Sequence, residues 1–282
     1  MSKQEDIIGP HGNLTSALKD WLICSDIPEK DGQCIRHLDE NTQHRNALLD
    51  ECAWWLVLRH VGEETWNFIQ EERQTLSATD FKDMIDIAHY LPTDDKTRKG
   101  NLGEILLSKY LEEVTGYTSF GIYRFEHSPN VDKSMHGDDV LLFHPTDVYQ
   151  GVLYGESKIR AIPSNGVIDD IVNTLQGGQK LPLSISFMTR QLRTKGETEL
   201  AKEIDLMHVQ LAKGRVPMRN VGMLMSKRDS QVWWKDTLTK VQQHLNSNNP
   251  NLAFMAVGID DVQQFVDDAY QKANNILYTG QP

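Results

Sequence analysis

Two short apolar runs near the middle of the chain predict a pair of neighbouring buried strands. The first predicted strand covers residues 138–144 and the second covers residues 151–158, with turn-forming residues between them. Both runs have the length of a strand and are shorter than a typical helix. The pattern therefore predicts two consecutive strands that pair in one sheet.

Helical periodicity dominates the first third of the chain. Apolar residues recur at three- and four-residue spacing over 47–59 and continue to about residue 72, and a second helix is expected over 81–91. The polar segment 93–99 predicts a linker, and the next helix is expected over 100–114. The sequence thus predicts a helical region over residues 1–96 and a second domain over residues 97–282.

The second domain is predicted to alternate strands and helices, which is the pattern of an α/β fold with a mixed sheet and helices on both faces. Besides 138–144 and 151–158, strands are predicted near 120–125 and over 221–225 and 252–259. Helices are predicted, after the one over 100–114, over 167–175, in a segment containing Trp233 and Trp234, and over 262–276, where the helix is amphipathic. A further helical section has one apolar stripe, formed by Leu200, Ile204, Met207 and Leu211.

Composition indicates a protein without a membrane segment or a disulfide framework. The chain has 282 residues, of which 39% are hydrophobic, which is enough to form a packed core. Its longest apolar run, 52–58, is too short to cross a bilayer, and no secretory signal pattern precedes it. The three cysteines lack the spacing of metal ligands. We therefore expect a soluble cytoplasmic protein with free thiols.

The charges are distributed unevenly along the chain. The net charge of −11 argues against binding of nucleic acid by bulk electrostatics. Residues 1–96 contain 19 acidic and 9 basic residues, whereas residues 158–228 contain 12 basic and 6 acidic residues. The basic segment predicts a surface that faces nucleic acid, with chance clustering on solvated helices as the alternative. The acidic segment, which carries no catalytic constellation, is a candidate partner-binding or regulatory region.

The central strands contain the candidate chemistry, because ionised side chains in apolar strands need partners. Asp138 and Asp139 precede the first apolar run, and the second run ends in Glu156 and Lys158, which project from the same face. Two converging carboxylates are typical ligands of a hard divalent cation. The acid-x-Lys triplet also occurs at 80–82 and 94–96, so only its place at the end of an apolar strand makes it informative. A simple ion pair between Glu156 and Lys158 is the alternative.

Four further residues are candidates on weaker grounds. Glu104 lies on the same face of its predicted helix as the apolar residues, but with Asn101 it would also form a capping box. His136 could contact phosphate or stay on the surface, and Arg160 could bind phosphate or remain solvated. Gln179 follows a predicted helix, where the preceding glycines are also typical of a helix end.

An acid before one strand and Glu-x-Lys at the end of the next resemble the PD-(D/E)XK nuclease superfamily. The resemblance implies a restriction-endonuclease-like core in which Asp139, Glu156, Glu104 and the Ser157 carbonyl bind Mg²⁺ or Mn²⁺ and Lys158 positions the attacking water. The first motif lacks the proline of that superfamily. Asp139 fits the pattern better because it directly precedes the apolar run, and Asp138 is the alternative.

The motifs within 100–104, 136–140 and 154–158 narrow the resemblance to the HamA nucleases of Hachiman anti-phage defence systems. This resemblance implies cleavage of DNA with little sequence preference and a heterodimer with an ATP-dependent helicase of the HamB type. A non-catalytic adaptor that binds DNA or a helicase on a nuclease fold is the alternative. The complete set of acids and Lys158 argues against a site that has lost its chemistry.

Overall fold

The computed structural model describes residues 3–30, 33–133, 137–162, 165–176, 184–228 and 251–281. Within these ranges a six-stranded mixed sheet has the order β1-β2-β6-β5-β4-β3. Its two outer pairs are antiparallel, and its inner pairs are parallel. The strands are β1 (Leu22–Lys30), β2 (Gln33–Glu40), β3 (Val140–Phe143), β4 (Val152–Arg160), β5 (Met218–Lys227) and β6 (Leu252–Ile259). The predicted α/β class with a mixed sheet is confirmed.

Helices cover both faces of the sheet. They are α1 (Lys3–Ile8), α2 (Leu18–Trp21), α3 (Arg45–Val61), α4 (Glu63–Thr75), α5 (Ala78–Ala88), α6 (Asp95–Thr115), α7 (Asn165–Gln176), α8 (Ile185–Thr194), α9 (Thr198–Asp205), α10 (Met207–Ala212) and α11 (Val262–Thr279). The apolar stripes of α3, α6 and α11 pack on one face, and α7 packs on the other. A third cluster joins α8 and α9 to β3. Most helices therefore fall where apolar periodicity predicts them.

The central strands β4, β5 and β6 are buried along nearly their whole length. The two faces of β4 contact different helices, because alternate residues point in opposite directions. Ser157 and Ile159 lie beside Gly103 of α6, whereas Tyr154 packs in the cluster of α7. Strands covered on both faces need continuous apolar runs, which is why the sequence reveals them clearly.

The prediction that residues 1–96 are helical is wrong for residues 22–30 and 33–40, which form β1 and β2. Arg36, which is only 1% exposed, makes a bidentate ion pair with Asp26 on the neighbouring strand. Its remaining hydrogen bonds go to the carbonyl of Gly9 and the hydroxyl of Tyr110. Because these partners come from other elements, the strand does not show the apolar alternation by which strands are recognised.

The strand predicted near 120–125 is absent. The φ angles of Phe120 and Gly121 are positive, at 54° and 65° respectively, and an extended strand requires negative φ angles. One isolated bridge joins Thr118 to Phe143 just before this turn. The predicted order of three strands between α6 and α7 is therefore wrong, since the described residues there form two.

The helix expected over 100–114 begins earlier, so the predicted linker over 93–99 is mostly helical. Asp94 is its N-cap and accepts a hydrogen bond from the Thr97 backbone N–H at 2.8 Å. Asn101 lies inside the helix, where its side chain contacts His60 at 3.3 Å. The alternative of a capping box formed by Asn101 and Glu104 is thereby excluded.

The sheet and the largest hydrophobic cluster contain residues from both sides of position 96. The division into domains at this position stays a prediction. The predicted helix with Trp233 and Trp234 lies outside the described residues. In the ranges described, no helix combines the length and the apolar character that crossing a membrane requires.

Candidate active site

Antiparallel pairing of β3 with β4 brings Asp139 next to the Glu-x-Lys motif. Val140 is paired with Gly155, so the residue before Val140 reaches the level of Glu156. Asp139 Oδ2 accepts a hydrogen bond of 2.9 Å from the Ser157 backbone N–H and lies 3.4 Å from Ser157 Oγ. The two predicted strands are therefore neighbours, and their polar ends meet.

Glu156 and Lys158 form a direct ion pair on one face of β4. Their side chains are 11% and 26% exposed. Burial raises the pKa of Glu156, the Asp139 charge raises it further, and Lys158 opposes both effects. Burial lowers the pKa of Lys158, but Asp139 and Glu156 outweigh burial and keep that pKa above its usual value. Lys158 is therefore a cation at neutral pH.

Glu104 of α6 is paired with Arg124, with 2.6 Å between its Oε2 and Nη2 of the guanidinium. Both side chains are largely buried, at 15% and 10% exposure. Burial raises the pKa of Glu104 to about 8, with Arg124 acting against this shift and Asp139 and Glu156 adding to it. The three carboxylates are thus close enough to repel one another.

Asp138 has a different set of partners from Asp139. Asp138 Oδ2 accepts a hydrogen bond of 2.7 Å from the Ser184 backbone N–H, and Ser184 Oγ accepts one of 3.0 Å from the Asp138 backbone N–H. Burial raises the pKa of the Tyr154 hydroxyl, and the Asp138 charge raises it further. Since Ser184 immediately precedes α8, Asp138 anchors the start of that helix to β3.

A small cavity of about 50 Å³ lies beside the carboxylates. Glu104, Asp138, Asp139, Arg124 and Ser184 are among the residues that line it. The cavity is large enough for more than one water molecule, and its lining is rich in polar groups. Both aspartates and the Glu104–Arg124 pair therefore border the same cavity.

Comparison with known proteins identifies the family. A sequence profile of the HamA family matches residues 15–273. A protein of Bacillus cereus named Hachiman protein HamA is 31% identical over 280 residues, which cover 99% of this chain and 98% of that protein. The chain belongs to the HamA family. The resemblance to the HamA family, predicted from the motifs, is confirmed.

The oxygen ligands of this HamA-family chain suit a hard divalent cation in their chemistry. Asp139, Glu156 and Glu104 supply carboxylate oxygens, which are the ligands that such a cation prefers. The Asp139 charge raises the pKa of both glutamates. In the described part of the chain, no three His, Cys, Asp or Glu side chains are grouped closely enough to hold a metal ion. Each of these carboxylates instead has a protein donor as its partner.

Among the weaker candidates of the HamA-family chain, Glu104 is brought into the site. His136 and Gln179 lie outside the described residues. Arg160 donates a hydrogen bond of 2.9 Å to the carbonyl of Ile159. Roles for these residues and for the Ser157 carbonyl stay predictions.

Arg124 and Ser184 contact the site but were not predicted from the sequence. Arg124 falls in the segment wrongly predicted as a strand, where a charge among apolar residues was a signal that it needs a buried partner. Ser184 lies 46 positions from Asp138, and no local pattern connects them. Only the packing of α8 against β3 brings Ser184 next to Asp138.

Proposed function

We propose that this HamA-family chain is a metal-dependent deoxyribonuclease that acts in anti-phage defence. The observation that supports the proposal is the meeting of Asp139, Glu156 and Lys158 at the ends of two paired strands. This arrangement is the one implied by the resemblance to the PD-(D/E)XK superfamily, in which the two carboxylates would hold a divalent cation and the lysine would orient the attacking water. The name of the Bacillus cereus relative points to the Hachiman system.

Asp139, Glu156 and Glu104 would hold Mg²⁺ or Mn²⁺, with the Ser157 carbonyl as a further oxygen ligand. When bound, the cation would neutralise charge on phosphate oxygens and lower the pKa of a water molecule. Lys158, kept protonated by Asp139 and Glu156, would donate hydrogen bonds to the attacking water or to a phosphate oxygen. Its charge would offset the negative charge that develops at phosphorus.

The proposed partners are DNA and an ATP-dependent helicase of the HamB type in a heterodimer. The basic residues between 158 and 228 are the proposed DNA-facing surface. The acidic surface of residues 1–96 is the proposed region for binding the helicase or for screening the site. Cleavage is proposed to show little sequence preference, because Asp139, Glu156 and Lys158 would act on the backbone rather than on bases.

A non-catalytic adaptor is the second candidate function. It is favoured by one observation, namely that every carboxylate of the site already has a protein donor and the described residues contain no grouped metal ligands. In that function the ion pair of Glu156 and Lys158 would only stabilise β4. The same experiment separates the two functions.

The test is cleavage of supercoiled and linear DNA with Mg²⁺ or Mn²⁺, by the chain alone and together with a helicase that copurifies with it. We expect Glu156→Ala and Lys158→Ala each to abolish cleavage while the protein remains folded. Lys82→Ala is the matched control, because Lys82 belongs to another acid-x-Lys triplet and forms an exposed ion pair with Asp86. Cleavage by both single variants at the wild-type rate would refute the nuclease. DNA or helicase binding without cleavage in any condition would support the adaptor.

A further inference from the structure

Arg124 is a basic side chain that borders the site and lies outside the motifs. It follows the turn with two positive φ values and reaches α6, where Nη2 lies 2.6 Å from Glu104 Oε2. The guanidinium is 10% exposed and borders the same cavity as Glu104 and both aspartates. A buried charge-assisted bond of this length is among the stronger side-chain interactions in proteins.

The other end of the guanidinium is packed against the backbone that leads into the aspartates. A Cβ atom on Gly137 would lie only 2.6 Å from Arg124 Nη1, and Gly137 has a φ of 150°. Arg124 therefore fills the space between Glu104 and the segment that carries Asp138 and Asp139. Any side chain at position 137 would displace it.

We propose that Arg124 is a positioning residue that keeps Glu104 out of the ligand set until a divalent cation binds. This inference rests on the proposed function. A guanidinium is always charged at physiological pH, so it compensates the crowded carboxylates in place of a metal ion. A cation entering beside Asp139 and Glu156 would meet repulsion from Arg124 and would gain Glu104 only when the ion pair opens. Arg124 would thus set how much divalent cation the site requires.

The sign of the effect distinguishes this role from simple support of the fold. If Arg124 competes with the cation, its removal frees Glu104 and deletes a positive charge, and both changes strengthen cation binding. If Arg124 instead orients Glu104 for coordination, its removal weakens cation binding. Loss of a purely structural contact would lower the melting temperature without a gain in cation affinity.

The experiment measures Mn²⁺ binding by the full chain without DNA, from the electron paramagnetic resonance signal of free Mn²⁺. We expect the dissociation constant of Arg124→Gln to be about tenfold lower than that of the wild type. Arg124→Lys keeps the charge and should stay within about threefold of the wild type. Arg190→Gln is the matched control, because Arg190 is exposed and its Nε donates a hydrogen bond of 3.4 Å to the Ser186 carbonyl of its own helix. The affinity of Arg190→Gln for Mn²⁺ should equal that of the wild type.

The double variant Arg124→Gln/Glu104→Gln should not bind Mn²⁺ more tightly than the wild type, because it lacks the Glu104 carboxylate that Arg124→Gln releases. Arg124→Met, with an apolar chain of similar length, replaces Arg124→Gln if thermal unfolding in EDTA shows that the glutamine variant is not folded. Equal or weaker Mn²⁺ binding by folded Arg124→Gln or Arg124→Met, beside measurable binding by the wild type, would overturn this inference but not the proposed function. Absence of Mn²⁺ binding in every folded protein, including the wild type, would overturn the proposed metal site and this inference with it.

Discussion

Substitution of the two adjacent aspartates is expected to separate a stabilising residue from a metal ligand. Asp138 is 5% exposed and accepts a hydrogen bond of 2.7 Å from the Ser184 backbone N–H. Asp139 accepts its hydrogen bond of 2.9 Å from the Ser157 backbone beside Glu156. Asp138→Ala should therefore lower stability, whereas Asp139→Asn should lower activity.

The magnitude for Asp138→Ala follows from the bonds that are lost. A hydrogen bond to a charged group contributes about 1.5–3 kcal/mol, and a buried donor left without a partner adds its own cost. Reduced repulsion of Glu156 offsets part of this loss, because the Asp138 charge raises the pKa of Glu156. We expect a net loss of about 2–4 kcal/mol in the free energy of unfolding. For a chain of this size that corresponds to a melting temperature lower by roughly 5–10 °C.

Asparagine variants test the other half of this prediction. Asp139→Asn keeps an oxygen acceptor for the Ser157 N–H, so its free energy of unfolding should stay within about 0.5 kcal/mol of the wild type. Its metal-dependent DNA cleavage should fall at least about 100-fold, since a neutral amide is a poor ligand for Mg²⁺. Asp138→Asn is the matched control and should retain cleavage.

The assays are urea unfolding followed by circular dichroism and cleavage of plasmid DNA with Mg²⁺. The reasoning is refuted if Asp138→Ala unfolds at the same urea concentration as the wild type. It is also refuted if Asp138→Asn loses cleavage while Asp139→Asn retains it. That second result would make Asp138 the ligand.

Three further predictions concern stability and are measured by urea unfolding. Burial lowers the pKa of His60 to about 3, so below pH 6.5 the unfolded chain binds a proton that the folded chain excludes, and stability should fall by up to about 1.4 kcal/mol per pH unit as the pH decreases. His60→Gln should show a shallower dependence, and an identical slope would contradict this cause. Gly100→Ala should raise the free energy of unfolding by about 0.5–1 kcal/mol, because alanine favours the helix and its Cβ would meet no other atom. Gly103→Ala has the same helical preference, but its Cβ would lie 3.0 Å from Ser157 Oγ, and this overpacking should cost about 1–2 kcal/mol. Equal stability of the two alanine variants would show that α6 can shift away from Ser157 at no cost, which would contradict the expected overpacking. Arg36→Met should lower the free energy of unfolding by about 3 kcal/mol, because it removes the buried guanidinium that donates to Asp26, Gly9 and Tyr110. A loss below about 1 kcal/mol would show that these bonds add little.

The Glu-x-Lys motif could be located from the sequence because the strand around it is a continuous apolar run. Burial on both faces requires such a run, and ionised residues stand out within it. The adjacency of Asp139 to that motif followed from a short connection between two strands, which favours antiparallel pairing. Which of the two aspartates faces Glu156 did not follow, since it depends on where β3 begins and on the distant Ser184.

The first two strands were missed for a physical reason that also applies to Arg124. Arg36 is compatible with a buried strand only because Asp26, Tyr110 and Gly9 surround it. Arg124 is compatible with a buried position only because Glu104 lies 2.6 Å away. Long-range partners satisfy these charges, and apolar periodicity contains no information about them.

The sequence by itself determined the α/β class, the central strands, most helices and the identity of the candidate acids and lysine. These features depend on local propensity and on the period of apolar residues, which a chain carries along its length. Tertiary structure alone decided the addition of β1 and β2 to the sheet, the different partners of Asp138 and Asp139, and the pairing of Arg124 with Glu104. Each of these depends on groups far apart in sequence, because a buried charge is stabilised by whatever partner the fold brings to it.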